Sequence, residues 1–200
     1  MMRLCFLILL TFNLIFPDCS LAAPMIKEGE SLRCRFTMNR HLQGFNKPLH
    51  SEGSLLLIPG KGLLWKTEQP FSSIVAISSS GINHYANNDK ILSIASQQIP
   101  FLHTLRQLFE QALTGNEEGL SQFFHIHQEN QRIELRKRPD IGISWPLQKI
   151  IVQREGQNWV ESVEIVKENG DRDIIHFLEQ RLTQNAPTAE EIALLAGADP

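Results

Sequence analysis

Few residues of this chain have the types and spacing needed for catalysis or metal binding. His125 and His127 would place two imidazoles on one face of a strand, a spacing that occurs in metal sites. No cysteine or carboxylate is grouped with them, so a pair of exposed strand histidines is the simpler interpretation. The chain has no Gly-x-Ser-x-Gly motif for a nucleophilic serine, and Gly60-Lys61-Gly62 is too short for a phosphate-binding loop. We expect no enzyme, no metal and no cofactor; a secreted hydrolase or metal enzyme is the alternative.

The N-terminus has the pattern of a secretory signal peptide. A short positively charged start precedes the apolar run Leu4–Phe16, which is shorter than the roughly 20 residues that span a bilayer. Small residues then predict cleavage after Ala22, so that residues 1–22 are removed and 23–200 form a single domain. An uncleaved anchor and a lipoprotein attached through Cys19 are the alternatives.

The composition of the mature chain excludes several classes of protein. About 178 residues remain, enough for one domain with a substantial core. The formal net charge of −3 gives no basic excess that would attract nucleic acid or an anionic membrane. Only Cys34 survives removal of the signal, so neither an internal disulfide nor a cysteine-based metal site is expected.

The hairpin that would position a binding site is Ser51–Phe71. Two apolar runs flank a turn at Pro59-Gly60-Lys61-Gly62, where proline presets φ and glycine accepts a positive φ. The two arms carry more apolar side chains than one face of a sheet can hide. The hairpin therefore requires a second layer, a partner or a ligand.

Most of the chain alternates with period two between turn residues, which predicts about 11 strands. Nearly all are joined by short loops and are therefore antiparallel, and a sheet of this size curls. The predicted strands are Arg33–Leu42, Ser51–Ile58, Leu63–Thr67, Ser73–Ser78, Ile82–Ala86, Lys90–Ala95, Gln122–Gln128, Arg132–Lys137, Leu147–Arg154, Trp159–Lys167 and Asp173–Leu178.

Three segments predict helices. Pro100–Thr114 carries an amphipathic stripe, and Ala23–Leu32 could form a short N-terminal helix. Near the C-terminus, Thr188 as N-cap and Glu191 as the acid of a capping box predict a helix that is only weakly buried. Helices that interrupt a meander most simply cap its concave face. The enclosed apolar space binds an apolar ligand if side chains do not fill it.

Several short motifs occur along the chain: Arg35-Phe36-Thr37-Met38, Gly53-Ser54-Leu55-Leu56, Pro59, Leu63-Leu64-Trp65, Gln69-Pro70-Phe71 and Glu168-Asn169-Gly170 with Ile174–Phe177. These motifs resemble those of the LolA-like outer-membrane lipoprotein carrier family, and this chain resembles a divergent member. Further on, Arg181-Leu182-Thr183-Gln184-Asn185 resembles the strand that follows the family's late hairpin. The resemblance covers most of residues 30–187.

The resemblance implies a mainly β fold, an unclosed antiparallel β-barrel with an α-helical lid over an apolar cavity. It implies a periplasmic chaperone, a monomer, that carries acylated lipoproteins or other lipids from an inner-membrane donor complex to an outer-membrane acceptor. Nucleic acid is not a partner. A lipid-binding or sensing module of the envelope without transport activity is the alternative. Where the family's typical carrier has an arginine thought to tie the lid, this chain has Ile58.

The residues expected to line the cavity are apolar and come from the hairpin, its neighbours and the lid. Period two places Leu55 with Leu57, and Leu63 with Trp65, on one face, expected to be the concave one. For the two tryptophans of the set, packing into the core is the alternative. The set is Phe36, Met38, Leu55, Leu57, Leu63, Trp65, Phe71, Leu105, Leu108, Phe109 and Trp145.

A charged residue introduced into the apolar stripe of the predicted helix should show whether this helix is a lid or part of the core. If Pro100–Thr114 covers a cavity, Leu108→Glu abolishes acyl-chain binding at a modest cost in stability, because the residue does not pack into a filled core. Lipid binding and urea denaturation measure the two effects. Unfolding of the variant, together with the absence of a cavity, would contradict the lid.

Overall fold

The computed structural model describes residue 26 and residues 29–87, 89–98, 120–139, 147–156 and 159–197. The predicted signal peptide, residues 1–22, and the predicted helix Pro100–Thr114 lie outside these residues. None of the described helices is long and apolar enough to cross a bilayer.

The described residues include eleven strands, the 3₁₀ turn Ser96–Gln98 and the complete α-helix Ala189–Ala196. Strand bounds agree with the period-two prediction to within about three residues, except in the last strand. The elements are β1 Ser31–His41, β2 Leu49–Ile58, β3 Gly62–Gln69, β4 Ser73–Ser78, β5 Gly81–Ala86, β6 Asp89–Ala95, the 3₁₀ turn Ser96–Gln98, β7 Phe124–Glu129, β8 Arg132–Lys137, β9 Leu147–Glu155, β10 Trp159–Lys167, β11 Arg172–Thr183 and α1 Ala189–Ala196.

All eleven strands belong to one antiparallel sheet. Its order is β6-β5-β4-β3-β2-β1-β11-β10-β9-β8-β7, so two meanders meet where β1 pairs with β11, and β6 and β7 are the two edges. The sheet is therefore not closed on itself. The prediction of a mainly β, unclosed antiparallel sheet of about 11 strands with a helix is confirmed.

Two local predictions were wrong. The separate strand predicted at Arg181–Asn185 is the end of β11, which continues past a bulge. At the bulge Glu179 has a φ of 52°, and the register with β1 shifts between Arg33 and Arg35. The predicted N-terminal helix is also wrong at its end, because Ser31 and Leu32 already pair with β11 in β1.

The C-terminal helix α1 begins as its capping box predicts. The Thr188 side chain accepts a hydrogen bond from the Glu191 N–H, and the Glu191 carboxylate accepts one from the Thr188 N–H. Gly197 ends the helix with a φ of 78°, in the left-handed conformation that glycine adopts without strain.

The helix is anchored more deeply than the sequence predicts. Leu194 and Leu195 are buried in one cluster with residues of β2 to β5, whereas Ile192 is 43% exposed. Gly62 permits the close approach, because a Cβ there would lie 3.0 Å from Leu195 Cδ2 and 2.2 Å from the Ile77 carbonyl oxygen. The remaining members of the cluster are Leu56, Ile58, Leu64, Ala76 and Tyr85, with Ile74 packed against it.

An ion pair and a hydrogen bond hold α1 at its two ends. Arg33 binds the Glu191 carboxylate with both Nη atoms, at 2.7 and 3.0 Å. The hydrogen bond from Arg33 lowers the pKa of Glu191, against the opposing effect of burial. At the C-terminal end the Lys90 ammonium donates to the Gly197 carbonyl oxygen at 2.8 Å. The helix is thus a fixed second layer on one face of the sheet.

Two neighbouring helix residues provide a matched test of this anchoring. Leu194→Ala should cost about 2–5 kcal/mol of unfolding free energy, because it leaves a cavity in a buried cluster. Ile192→Ala should cost less than about 1 kcal/mol, because its side chain is 43% exposed. Urea denaturation measures both values. Equal effects of the two substitutions would show that α1 does not form a buried layer.

Candidate functional site

Alternate residues of the strands form two apolar clusters on the side of the sheet opposite α1, and this side is here called the apolar face. One cluster on this face is centred on β1, β2 and β3, and a second on β7, β8 and β9. Both lie on the same face, because Ile165 of the first cluster is paired in register with Ile150 of the second. The apolar face therefore extends over nine strands, from β4 to β7 in sheet order.

An aromatic pair lies at the centre of the first cluster. The rings of Phe36 and Trp65 are 4.1 Å apart between centroids and tilted by 38°. Phe36 is fully buried, and Trp65 is partly exposed. Gly53, opposite Phe36 in β2, has no room for a side chain, since a Cβ would lie 1.9 Å from the Lys66 carbonyl oxygen. Aromatic pairs of this kind contribute about 0.5–1.5 kcal/mol beyond the area they bury.

Six residues of the predicted lining lie together on the apolar face. Leu55, Leu57 and Leu63 are buried there. Leu55 lies on the same face as Leu57, and Leu63 on the same face as Trp65, as period two predicts. Phe36, Met38 and Trp65 belong to the same cluster. The other predicted lining residues lie elsewhere: Phe71 is in the β3–β4 turn and 82% exposed, and Leu105, Leu108, Phe109 and Trp145 lie outside the described residues.

Sequence reasoning missed the contribution of the C-terminal strands to this face. Ile175 is buried in the first cluster, and Phe177, Ile165 and Trp159 pack against it. The alternation of apolar residues in β10 and β11 was a signal that could have found them.

The apolar face ends in charged residues where β1, β10 and β11 approach the β10–β11 turn. Arg40 continues the row of Phe36 and Met38, Lys167 follows Ile165, and Asp173 precedes Ile175 with the same period of two. The Asp173 carboxylate accepts hydrogen bonds from Arg40 Nε at 2.8 Å and Nη2 at 3.3 Å. Lys167 Nζ lies 3.0 Å from Asp173 Oδ2.

Asp173 is held in its charged form by these two neighbours. The residue is 6% exposed, and burial alone would raise its pKa. Hydrogen bonds from Arg40 and Lys167 outweigh this effect, and the pKa of Asp173 lies below its ordinary value. The apolar face thus carries two cations on one buried carboxylate at this end.

A cleft of about 470 Å³ lies on the other face, between α1 and the sheet. Arg33 and Arg35 contribute to its lining, and each is already paired, with Glu191 and Glu68 respectively. Lys66 lines the same cleft. Paired charges of both signs make this a polar seam between helix and sheet, unlike the apolar cavity that the resemblance implies.

Ile58 belongs to the cluster beneath α1, not to the apolar face. The resemblance places it where the family's arginine is thought to tie a lid. In this chain its side chain is 6% exposed, in the cluster that contains Leu194 and Leu195. Its packing therefore stabilises the C-terminal helix.

Within the described residues, the histidines and the cysteine do not form a reactive site. His125 and His127 are both exposed on β7. Within the described ranges, no group of three or more histidine, cysteine or acidic residues could hold a metal ion. Burial raises the pKa of the Cys34 thiol to about 12, so this thiol is not a nucleophile at neutral pH.

No protein-family model matches the chain, and no curated protein matches it by sequence. Solved structures do match it. A LolA superfamily protein from Nitrosomonas europaea has 9% identity and a TM-score of 0.42, with 84% of this chain and 92% of that chain covered. A domain from Vibrio parahaemolyticus, described as an outer membrane lipoprotein-sorting protein, has 10% identity and a TM-score of 0.40, with 84% and 92% covered.

A third match is the MucA/MucB complex of Pseudomonas aeruginosa, with 8% identity and a TM-score of 0.42. It covers 82% of this chain and 56% of the matched chain. The prediction of a divergent LolA-like protein agrees with the names of these structures.

Two phenylalanines of the predicted lining should differ strongly in how much their truncation to alanine lowers the free energy of unfolding. Phe36→Ala should cost about 3–5 kcal/mol of unfolding free energy, because the ring is fully buried against Trp65. Phe71→Ala should change it by no more than about 0.5 kcal/mol, because the side chain is 82% exposed. Chemical denaturation followed by circular dichroism measures both. A large loss with Phe71→Ala would contradict its position in the turn.

Proposed function

We propose that this protein binds the acyl chains of lipoproteins or other lipids against its apolar face and carries them through the periplasm towards the outer membrane. The observation that supports this proposal is the apolar face itself, which extends over nine strands of a sheet that does not close. A closed sheet of small diameter fills its interior with its own side chains. An open sheet can admit a chain between its edges.

The energetics of acyl transfer match such a surface. A 16-carbon chain gains on the order of 12 kcal/mol in a bilayer, at about 0.8 kcal/mol per CH₂ group, and does not cross water unaided. A carrier must offer comparable apolar burial. Leucine, isoleucine and aromatic side chains of the apolar face offer such burial without directional bonds, so an acceptor with comparable apolar burial can take up the chain without breaking specific polar contacts.

Several further parts of the proposal follow from the sequence. Residues 1–22 act as an export signal, and residues 23–200 form a single carrier domain that works as a monomer. The segment Pro100–Thr114 acts as a lid over the apolar face. An inner-membrane donor complex loads the cargo, and an outer-membrane acceptor receives it.

Transfer of a fluorescent phospholipid between donor and acceptor vesicles tests the carrier. Met38→Glu should slow protein-dependent transfer by at least about tenfold, because it places a charge on the apolar face. Ile74→Glu is the matched control: Ile74 is likewise partly buried on a strand, but it packs on the α1 side. This control should transfer lipid at the wild-type rate.

The outcomes separate the proposal from its alternative. Binding of lipid without transfer would indicate a lipid-binding or sensing module that retains its ligand. Equal loss of transfer with Met38→Glu and Ile74→Glu would show that the apolar face is not the carrying surface. Absence of both binding and transfer in the wild-type protein would contradict the proposed function.

A further inference from the structure

Three exposed apolar side chains, here called the apolar tips, lie at one end of the sheet. Phe45 is 69% exposed in the β1–β2 loop, Leu49 is 57% exposed at the start of β2, and Phe71 is 82% exposed in the β3–β4 turn. Because β1, β2 and β3 are antiparallel neighbours, the loop and the turn lie at the same end. Exposed apolar groups gathered at one place are typical of a surface that binds a protein or a membrane.

The loop that carries Phe45 is held in place by hydrogen bonds. The Phe45 N–H donates to the Leu42 carbonyl oxygen at 3.2 Å, and the Gln43 N–H donates to the Asp171 carboxylate at 2.9 Å. Gly44 between them has a φ of 81°, in the left-handed conformation that glycine adopts without strain. The loop is thus fastened to the β10–β11 turn, and its phenylalanine ring remains in solvent.

The arrangement of the apolar tips fits a lipid bilayer better than a protein. They project from two separate connections, and residues 43–50 and 69–72 are all exposed, among them the polar Asn46 and Ser72. A protein partner would have to present a separate pocket for each side chain. A fluid bilayer accepts separate apolar side chains at any point of its interface.

The charged groups at this end carry both signs, so net charge does not decide the partner. Lys47, between Phe45 and Leu49, is exposed, and Asp171 lies beside the same loop. The β3–β4 turn, residues 69–72, has no charged residue. Contact with a bilayer at this end therefore depends on apolar burial, and lipids without net charge suffice for it.

We infer that the apolar tips dock this protein on the surface of a lipid bilayer, with Phe45 and Phe71 entering the boundary between head groups and acyl chains. Leu49 pairs with Arg40 at the end of the apolar face, so docking brings that end of the face to the bilayer. The inference goes beyond the proposed function, because a docked protein need not carry lipid.

Co-flotation of the mature protein with phosphatidylcholine vesicles, which have no net charge, tests docking. The wild-type protein should bind the vesicles, and salt should change binding by less than about twofold, because the contact is apolar. Phe45→Ala and Phe71→Ala should each weaken binding severalfold, and the double variant at least about tenfold. Both rings are mostly exposed, so the variants should fold like the wild type.

Two leucines of similar exposure provide the matched control. Leu49 belongs to the apolar tips, whereas Leu178, which is 50% exposed, lies in the middle of β11 away from this end. Leu49→Ala should weaken vesicle binding, and Leu178→Ala should leave it unchanged. An equal loss with both would show a general effect of surface hydrophobicity and overturn the inference.

A fluorescent label reports directly whether the β3–β4 turn enters the bilayer. Cys34 is buried, so a thiol-reactive, polarity-sensitive dye attaches to the cysteine introduced by Phe71→Cys or by Leu178→Cys. Vesicles should shift the emission of the dye at position 71 to shorter wavelength and leave that at position 178 unchanged. The same emission at position 71 with and without vesicles would contradict insertion of this turn.

The failures of this inference and of the proposed function are distinguishable. Met38→Glu, on the apolar face, should bind vesicles like the wild type although it no longer transfers lipid. Vesicle binding without lipid transfer in the wild type would contradict the carrier alone. No vesicle binding, or binding that salt abolishes and Phe45→Ala and Phe71→Ala leave intact, would overturn docking by the apolar tips and leave acyl binding in place.

Discussion

The structure depends on a hairpin that is apolar on both of its faces. In β2, Leu55 and Leu57 point to one side of the sheet, and Leu56 and Ile58 point to the other. No single layer can bury both sets, so each face requires its own cover. The short helix α1 covers one face with two leucines. The other face continues across the sheet as the apolar face, which we propose as the surface for acyl chains.

The charged residues also differ between the face covered by α1 and the apolar face. On the α1 side, Arg33 and Glu191 neutralise each other and fix the helix. On the apolar face, Arg40 and Lys167 share the buried carboxylate of Asp173 at one end, and the buried Arg154 continues the row of Ile150 and Val152 at the other. The middle of the apolar face is left to aliphatic and aromatic side chains. Such an arrangement suits the binding of an apolar chain that we propose.

Much of the fold could be predicted from the sequence because its strands are local features. Alternation and turn residues mark each hairpin within about ten residues, and the capping box at Thr188 marks the start of α1. The depth of burial of Leu194 could not be predicted, since it depends on partners more than 100 residues away. The bulge at Glu179 was missed because nothing in a glutamate signals a positive φ.

The candidate site, like the fold, could be predicted from the sequence only in part. Its apolar members on β1, β2 and β3 follow from period two, but the pairing of Arg40 with Asp173 joins residues 133 positions apart and carries no local signal.

The central claim is that the apolar face holds an acyl chain. Native mass spectrometry of the mature protein, purified from the periplasm without detergent, tests it directly. The account predicts a bound species with the added mass of one acyl lipid, which denaturation releases. The mass of the bare chain alone would contradict it.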